Sequence, residues 1–130
     1  GKSTILGLIV SDIANPFYSR MARTIEDIAW TEGYKLMVCS ADEDPVKEVQ
    51  LFQMLRQSLN AEGIIVSSGL TDAQPYQPSM DKDYPVVFID RMLPGVEGRS
   101  VIIDNYRGAE RATEHLIESG RKRVALITIG

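Results

Sequence analysis

Residues 4–18 read Thr4-Ile5-Leu6-Gly7-Leu8-Ile9-Val10-Ser11-Asp12-Ile13-Ala14-Asn15-Pro16-Phe17-Tyr18, an apolar run, a polar turn and a helix start in succession. The apolar residues of 5–10 follow one another without alternating polar partners, the pattern of a strand buried on both faces of a parallel sheet. Asn15 is a good N-cap and Pro16 a good first helical residue. Phe17, Met21, Ile25, Ile28 and Ala29 then recur at helical spacing, and Gly33 supplies the stop. A second apolar run at 35–40 follows, and the same grammar repeats. Asp44 precedes Pro45, a helix is predicted from 45 to about 59 with Val49, Phe52, Leu55 and Leu59 on one face, and a third run stands at 63–67. From Ile5 to Leu36 to Ile64 the steps are 31 and 28 residues, the length of a βα unit repeated in series.

Three more apolar runs, at 86–90, 100–104 and 123–129, read as strands. A third helix is predicted over 106–119, with Ala109, Ala112, Leu116 and Ile117 inward and Gly120 as terminator. Residues 70–84 contain Pro75, Pro78, Asp72, Gln74, Gln77, Asp81 and Asp83, and are expected to form a surface loop with at most a short helix. Residues 92–99 are too few for a helical crossover and predict a loop between neighbouring strands. The expected fold is therefore α/β: one domain over 1–130, with a doubly wound, mainly parallel sheet and helices on both faces.

The chain has 130 residues, 44% hydrophobic and 25% charged, with 10 Gly and 6 Pro, which excludes collagen-like and low-complexity classes. Fourteen Lys and Arg against eighteen Asp and Glu leave a net charge of −4, which repels a phosphate backbone. Cys39 is the only cysteine and His115 the only histidine, so neither an internal disulfide nor a structural zinc site can form. Cys39 reads as a small buried hydrophobe, and a free thiol of that kind suits a reducing cytoplasm. No stretch approaches the roughly 18 apolar residues that span a membrane, and residues 1–4 lack both Met and a signal-peptide layout, as expected of an excised or processed piece. Gly1-Lys2-Ser3-Thr4 imitates the tail of a phosphate-binding loop but precedes a strand and lacks the upstream glycine. With no GxGxxG, no second His and no nucleophile elbow, no enzyme activity, cofactor or metal is expected.

In a doubly wound sheet, ligands bind outside the carboxyl ends of the strands. The residues that follow the runs are polar: Ser11, Asp12, Asn15, Phe17 and Tyr18; then Ser67 and Ser68; then Asp90 and Arg91; then Asp104 and Asn105. Carboxylates, amides, one guanidinium fork and aromatic faces suit a small polyhydroxylated ligand better than a phosphate. Local roles stand beside this reading: Asn15 and Asp104 as helix caps, Phe17 as core, Ser67 and Ser68 as turn formers. Asp90-Arg91 is harder to assign locally, because a charged pair directly ends the apolar run 86–89.

The blocks Ile5 to Asp12, Asn15-Pro16-Phe17-Tyr18, Glu32-Gly33-Tyr34, Glu62 to Val66, Pro85 to Arg91, Asp104-Asn105 with Gly108-Ala109, His115-Leu116-Ile117 and Gly120 to Ala125 together resemble the ligand-binding domain of the LacI/GalR family of bacterial transcription regulators. The similarity covers essentially the whole chain, and the block running from His115-Leu116-Ile117 through Ser119-Gly120-Arg121-Lys122-Arg123 is its most family-specific part. The resemblance implies two similar subdomains that clamp an effector, preceded by a helix-turn-helix head. This chain is expected to be the N-terminal subdomain, with the head before Gly1 and the second subdomain after Gly130.

The resemblance further implies that Asp12, Asn15, Phe17, Ser67, Asp90, Arg91 and Asp104 line the effector cleft. The Asn-Pro-Phe-Tyr and Asp-Arg pieces are also similar to sugar-contacting segments of extracytoplasmic ribose-type binding proteins, so a furanose or similar sugar is the leading effector. Those proteins often carry Asn where this chain has Ser67 and Ser68. The expected partners are thus a sugar, operator DNA through the absent head, and a second copy of the chain, with no membrane. Dimer contacts are expected from Tyr18, Ala22 and Ala29 of the first helix, from Leu51 and Met54 of the second, and from an exchanged C-terminal strand near 127–130. The alternative is half of an extracytoplasmic sugar-binding transport protein.

Overall fold

The computed structural model describes residues 4–90, 93–96, 100–101 and 106–129. Strands β1 (Ile5–Val10), β2 (Lys35–Ser40), β3 (Gly63–Val66), β4 (Val86–Ile89) and β5 (Ser100–Val101) pair in the order β2-β1-β3-β4-β5, every pair parallel. Helices α1 (Pro16–Thr31), α2 (Pro45–Gln53), α3 (Gln77–Asp81) and α4 (Tyr106–Ile129) connect or follow them. The register runs Leu8↔Val38 on one side of β1 and Leu8↔Ile65 on the other.

Alternate side chains of the central strands build two cores. On one face Leu6, Leu8, Val10, Ile65, Val87 and Ile89 pack against Met21, Ala22, Ile25 and Ala29 of α1 and Ala109, Ala112, Leu116 and Ile117 of α4. On the other, Ile9, Ile64, Val66, Val86 and Phe88 meet Phe52 and Leu55 from the α2 side and Tyr76, Met80 and Tyr84 beyond β3. Three edge-to-face contacts, Phe52–Tyr76, Phe52–Tyr84 and Tyr76–Phe88, with centroids 4.7, 6.4 and 5.1 Å apart, fill the second core. The doubly wound architecture with both faces covered is therefore as expected.

Local signals act as read at the first two helices. Asn15 Oδ1 accepts from Phe17 N at 3.0 Å, and Asp44 Oδ1 accepts from Val46 N at 3.0 Å. Gly33 has φ +88, the left-handed stop that only glycine adopts freely.

Four expectations are corrected. Residues 123–129, expected as a sixth strand, continue α4, and Gly120 lies inside that helix. Short apolar runs carry no strand-specific period, and Lys, Arg, Ala and Leu are good helix formers, so the helix propagates through one glycine at a cost of about 1 kcal/mol. Residues 70–84 are packed instead of lying on the surface as a loop: a 3₁₀ turn at Gln74–Tyr76 and α3 bury Ala73, Tyr76 and Met80, and Tyr84 follows. Pro75 and Pro78 sit in the first turns of these pieces, where proline is tolerated, so they do not break the 3-4-4 spacing of the buried residues. The second helix gives way after Gln53 to a π-helical turn, Met54–Ser58, and its buried stripe contains Glu48 where Val49 was expected. β2 is an edge strand, so Met37 and Val38 are exposed and Cys39 only half-buried; that burial still raises the thiol pKa above its ordinary value, against an opposing effect of Lys47.

At Gly63 the sheet and α4 approach closely. A Cβ there would lie 2.9 Å from both Cγ and Cδ1 of Leu116, a buried side chain with no room to withdraw. Gly63→Ala is expected to lower unfolding free energy by about 1–3 kcal/mol, the range for overpacking a core, as read by urea denaturation. A variant as stable as wild type would show that α4 shifts freely on the sheet.

Candidate functional site

The chain leaves β1 to one side for β2 and then crosses to the other side for β3, so the order reverses between β1 and β3. A crevice at such a switch point, at the carboxyl ends of the strands, is where open α/β sheets bind ligands. Ser11 follows β1 and Ser67 follows β3, and their hydroxyls share a hydrogen bond of 3.1 Å. Ser67 is 1% exposed, and its N–H donates to the Ile9 carbonyl, so it extends the β1–β3 ladder into the crevice.

Asp12 and Asn15 shape the turn into α1. Asp12 Oδ1 accepts from Ala14 N at 3.0 Å, and the Asp12 carbonyl accepts from Asn15 N at 3.1 Å. Asn15 is thus a helix cap, as the local reading had it, with the remainder of its side chain exposed at the crevice edge. Phe17 is half-buried and packs on the first core, and its ring meets that of Tyr18 edge to face at 5.1 Å.

Asp90 follows β4 and is half-buried, with φ +81. An L residue holds that conformation at a cost of about 1–2 kcal/mol, and such outliers persist where the surroundings over-determine them. Here the Tyr18 hydroxyl donates to Asp90 Oδ2 at 2.8 Å, tying α1 to the end of β4 across the top of the sheet.

The structure therefore joins Ser67 to Ser11, Asp90 to Tyr18 and Phe17 to Tyr18, with Asp12 and Asn15 in the turn between. Arg91 and Asp104 lie outside the described residues. Tyr18, expected both among the residues after the first strand and on an outward face of α1, is half-buried and bonded to Asp90. Its position three residues after the capping Asn15, among the residues that follow the first strand, is the sequence signal for the strand-end role. Ala22 and Ala29, assigned to the same outward side, are buried against the protein's own core. His115 is exposed, away from the crevice, on α4. Among the described residues no group of three or more His, Cys, Asp and Glu could hold a metal ion, and no helix is long and apolar enough to cross a membrane.

The ribose operon repressor of Bacillus subtilis is 36% identical over 126 residues, a match covering 97% of this chain and 37% of the repressor. A crystal structure of the Cra transcriptional dual regulator from Pseudomonas putida, in complex with fructose 1-phosphate, superposes with a TM-score of 0.70 at 38% identity over 78% of this chain and 38% of that one. A periplasmic binding protein/LacI transcriptional regulator from Alkaliphilus metalliredigens, complexed with D-xylulofuranose, gives a TM-score of 0.65 at 34% identity over 89% of this chain and 41% of that one. The chain thus spans well under half the length of these relatives. With residues 3–130 matching the model for periplasmic binding proteins and sugar binding domain of LacI family, and a parallel sheet wound on both faces, the chain belongs to that family.

Proposed function

We propose that the chain is the N-terminal half of the effector-sensing region of a LacI-type transcription regulator, and that a sugar, with a furanose leading, binds at the crevice. The observation that carries this reading is Asp90, a carboxylate held in a strained backbone conformation at a strand end and oriented by Tyr18. In this reading Asp12 and Asp90 accept hydrogen bonds from sugar hydroxyls, Asn15 and Ser67 add amide and hydroxyl contacts, and the Phe17 ring covers an apolar sugar face. Arg91 supplies a charge-assisted fork and Asp104 a further acceptor. No cofactor or metal is needed for such binding.

Support comes from relatives named as repressors and from two family structures that hold a sugar phosphate and a furanose, which favours regulator over transport protein. The second lid of the clamp and the helix-turn-helix head belong to other parts of the regulator. The net charge of −4 fits a piece that does not itself grip DNA, and a regulator works in the cytoplasm.

In the full-length protein, Asp90→Asn keeps a residue that tolerates positive φ but removes the charge. It is expected to weaken D-ribose or D-xylulose binding about ten- to a hundredfold, the equivalent of about 1.5–3 kcal/mol, in calorimetric titration. The 130-residue chain alone, lacking the second lid, is expected to bind these sugars only weakly. Unchanged affinity in Asp90→Asn would place the site elsewhere.

We further propose that the regulator is a homodimer, and that the edge strand β2 joins the second-helix residues Leu51 and Met54 in its contact, in place of the α1 residues Ala22 and Ala29, which the core buries. The outer edge of β2 is unpaired among the described residues, with Val38 on the α1 side and Met37 on the α2 side, 37% and 40% exposed, and Met54 is exposed as well. Val38→Asp combined with Met54→Lys is expected to shift sedimentation of the full-length protein from dimer towards monomer. A variant that stays dimeric at wild-type concentrations would clear this edge of the role.

A further inference from the structure

One buried acid belongs neither to the crevice set nor to any ion pair. Glu48 is 2% exposed and lies on the same stripe of the second helical segment as Phe52 and Leu55. Its Oε2 accepts from the Ser68 hydroxyl at 2.6 Å and from the Tyr76 hydroxyl, while Oε1 accepts from the Gly69 N–H at 2.8 Å. Ser68 Oγ in turn accepts from the Leu70 N–H at 3.1 Å. Every partner of the carboxyl group is a donor, the set that suits a carboxylate. The side-chain ion pairs among the described residues, Arg23–Asp27 and Lys47–Asp42, leave it without a cation. Burial, and then the bond to Glu48, push the Tyr76 hydroxyl well above the ordinary tyrosine range.

A buried carboxylate is costly, and for stability alone an apolar residue of similar volume does as well or better. What an apolar residue cannot do is accept from the N–H and hydroxyl groups of a loop. The loop held here, Ser67 to Leu70, follows β3 at the switch point and begins with the serine that meets Ser11. We propose that Glu48 is a positioning residue for the crevice: through Ser68 and Gly69 it holds the loop after β3 in the shape that sets Ser67 against Ser11 at the strand ends beneath the effector. This rests on the reading of the strand ends as the effector site.

The test uses backbone amide exchange and D-ribose and D-xylulose titrations on the full-length protein carrying Ser68→Ala or Glu48→Ala, with Tyr76→Phe cutting the bond on the core side. Ser68→Ala and Glu48→Ala are expected to speed exchange at Gly69 and Leu70 at least tenfold, to leave Ile64 to Val66 within threefold of wild type, and to weaken sugar binding at least tenfold. Tyr76→Phe is expected to lower the melting temperature while leaving both loop exchange and sugar affinity within threefold. If Glu48→Ala does not fold, the small Ser68→Ala change decides alone. Wild-type loop exchange in Ser68→Ala, acceleration spread evenly over the sheet, or a loosened loop with unchanged sugar affinity would each overturn the proposal. A wild-type protein that binds neither sugar overturns the effector reading and this role with it, whereas wild-type binding that Ser68→Ala leaves intact overturns the role of Glu48 alone.

Discussion

β1 has neighbours on both edges and helices on both faces, and the rest of the molecule is arranged around that confinement. Leu6, Leu8, Ile9 and Val10 are at most 1% exposed, and each strand step turns one of them towards α1 and α4 and the next towards α2 and the Tyr76 segment. A parallel strand cannot be joined to its neighbour by a tight turn, so every connection must travel over a face, and covering both faces requires crossovers in both directions. The reversal between β2 and β3 follows, and with it the crevice where Ser11 and Ser67 meet.

The residues after the strands are tied into the core and the helix starts. Phe17 packs on the first core, and Asn15 caps α1. Asp90 ends a fully buried strand and is held at positive φ by its place between β4 and the Tyr18 hydroxyl. Glu48 works from below, through the loop after β3. Polar groups at the strand ends are thus held by bonds within the chain, and under the proposed reading that preorganisation would lower the ordering cost of binding.

The local chemistry of residues 4–67 was legible without coordinates. Consecutive apolar residues declared parallel strands, buried at β1 and β3 though not at the edge strand β2, the Asn15-Pro16 and Asp44-Pro45 pairs declared helix starts, and Gly33 declared a stop, because capping and backbone sterics act over a few residues. The polar residues after each run could be named for the same reason: strand ends are local features. Of the seven named, Asp12 and Asn15 stand in the turn after β1, Phe17 in the first turn of α1, and Ser67 and Asp90 at the ends of β3 and β4, where the sheet order brings those strands side by side.

Tertiary structure alone decided which surfaces were free and which polar groups were paired. Exposure of Met37 and Val38 depends on β2 being an edge, a fact of strand order that no local pattern carries. Burial of Tyr76 and Tyr84 depends on the aromatic cavity that Phe52 and Phe88 leave on the second face. The helical state of 123–129 depends on whether a neighbouring strand takes the segment up, since a short apolar run suits either form. Tyr18 reaches Asp90 across 72 positions of sequence, and Glu48 reaches Ser68 across 20. Such pairings are set by packing geometry, whereas capping, strand burial and turn chemistry are set by residues a few positions apart, and this difference in range separates what the sequence by itself determined from what only the fold could.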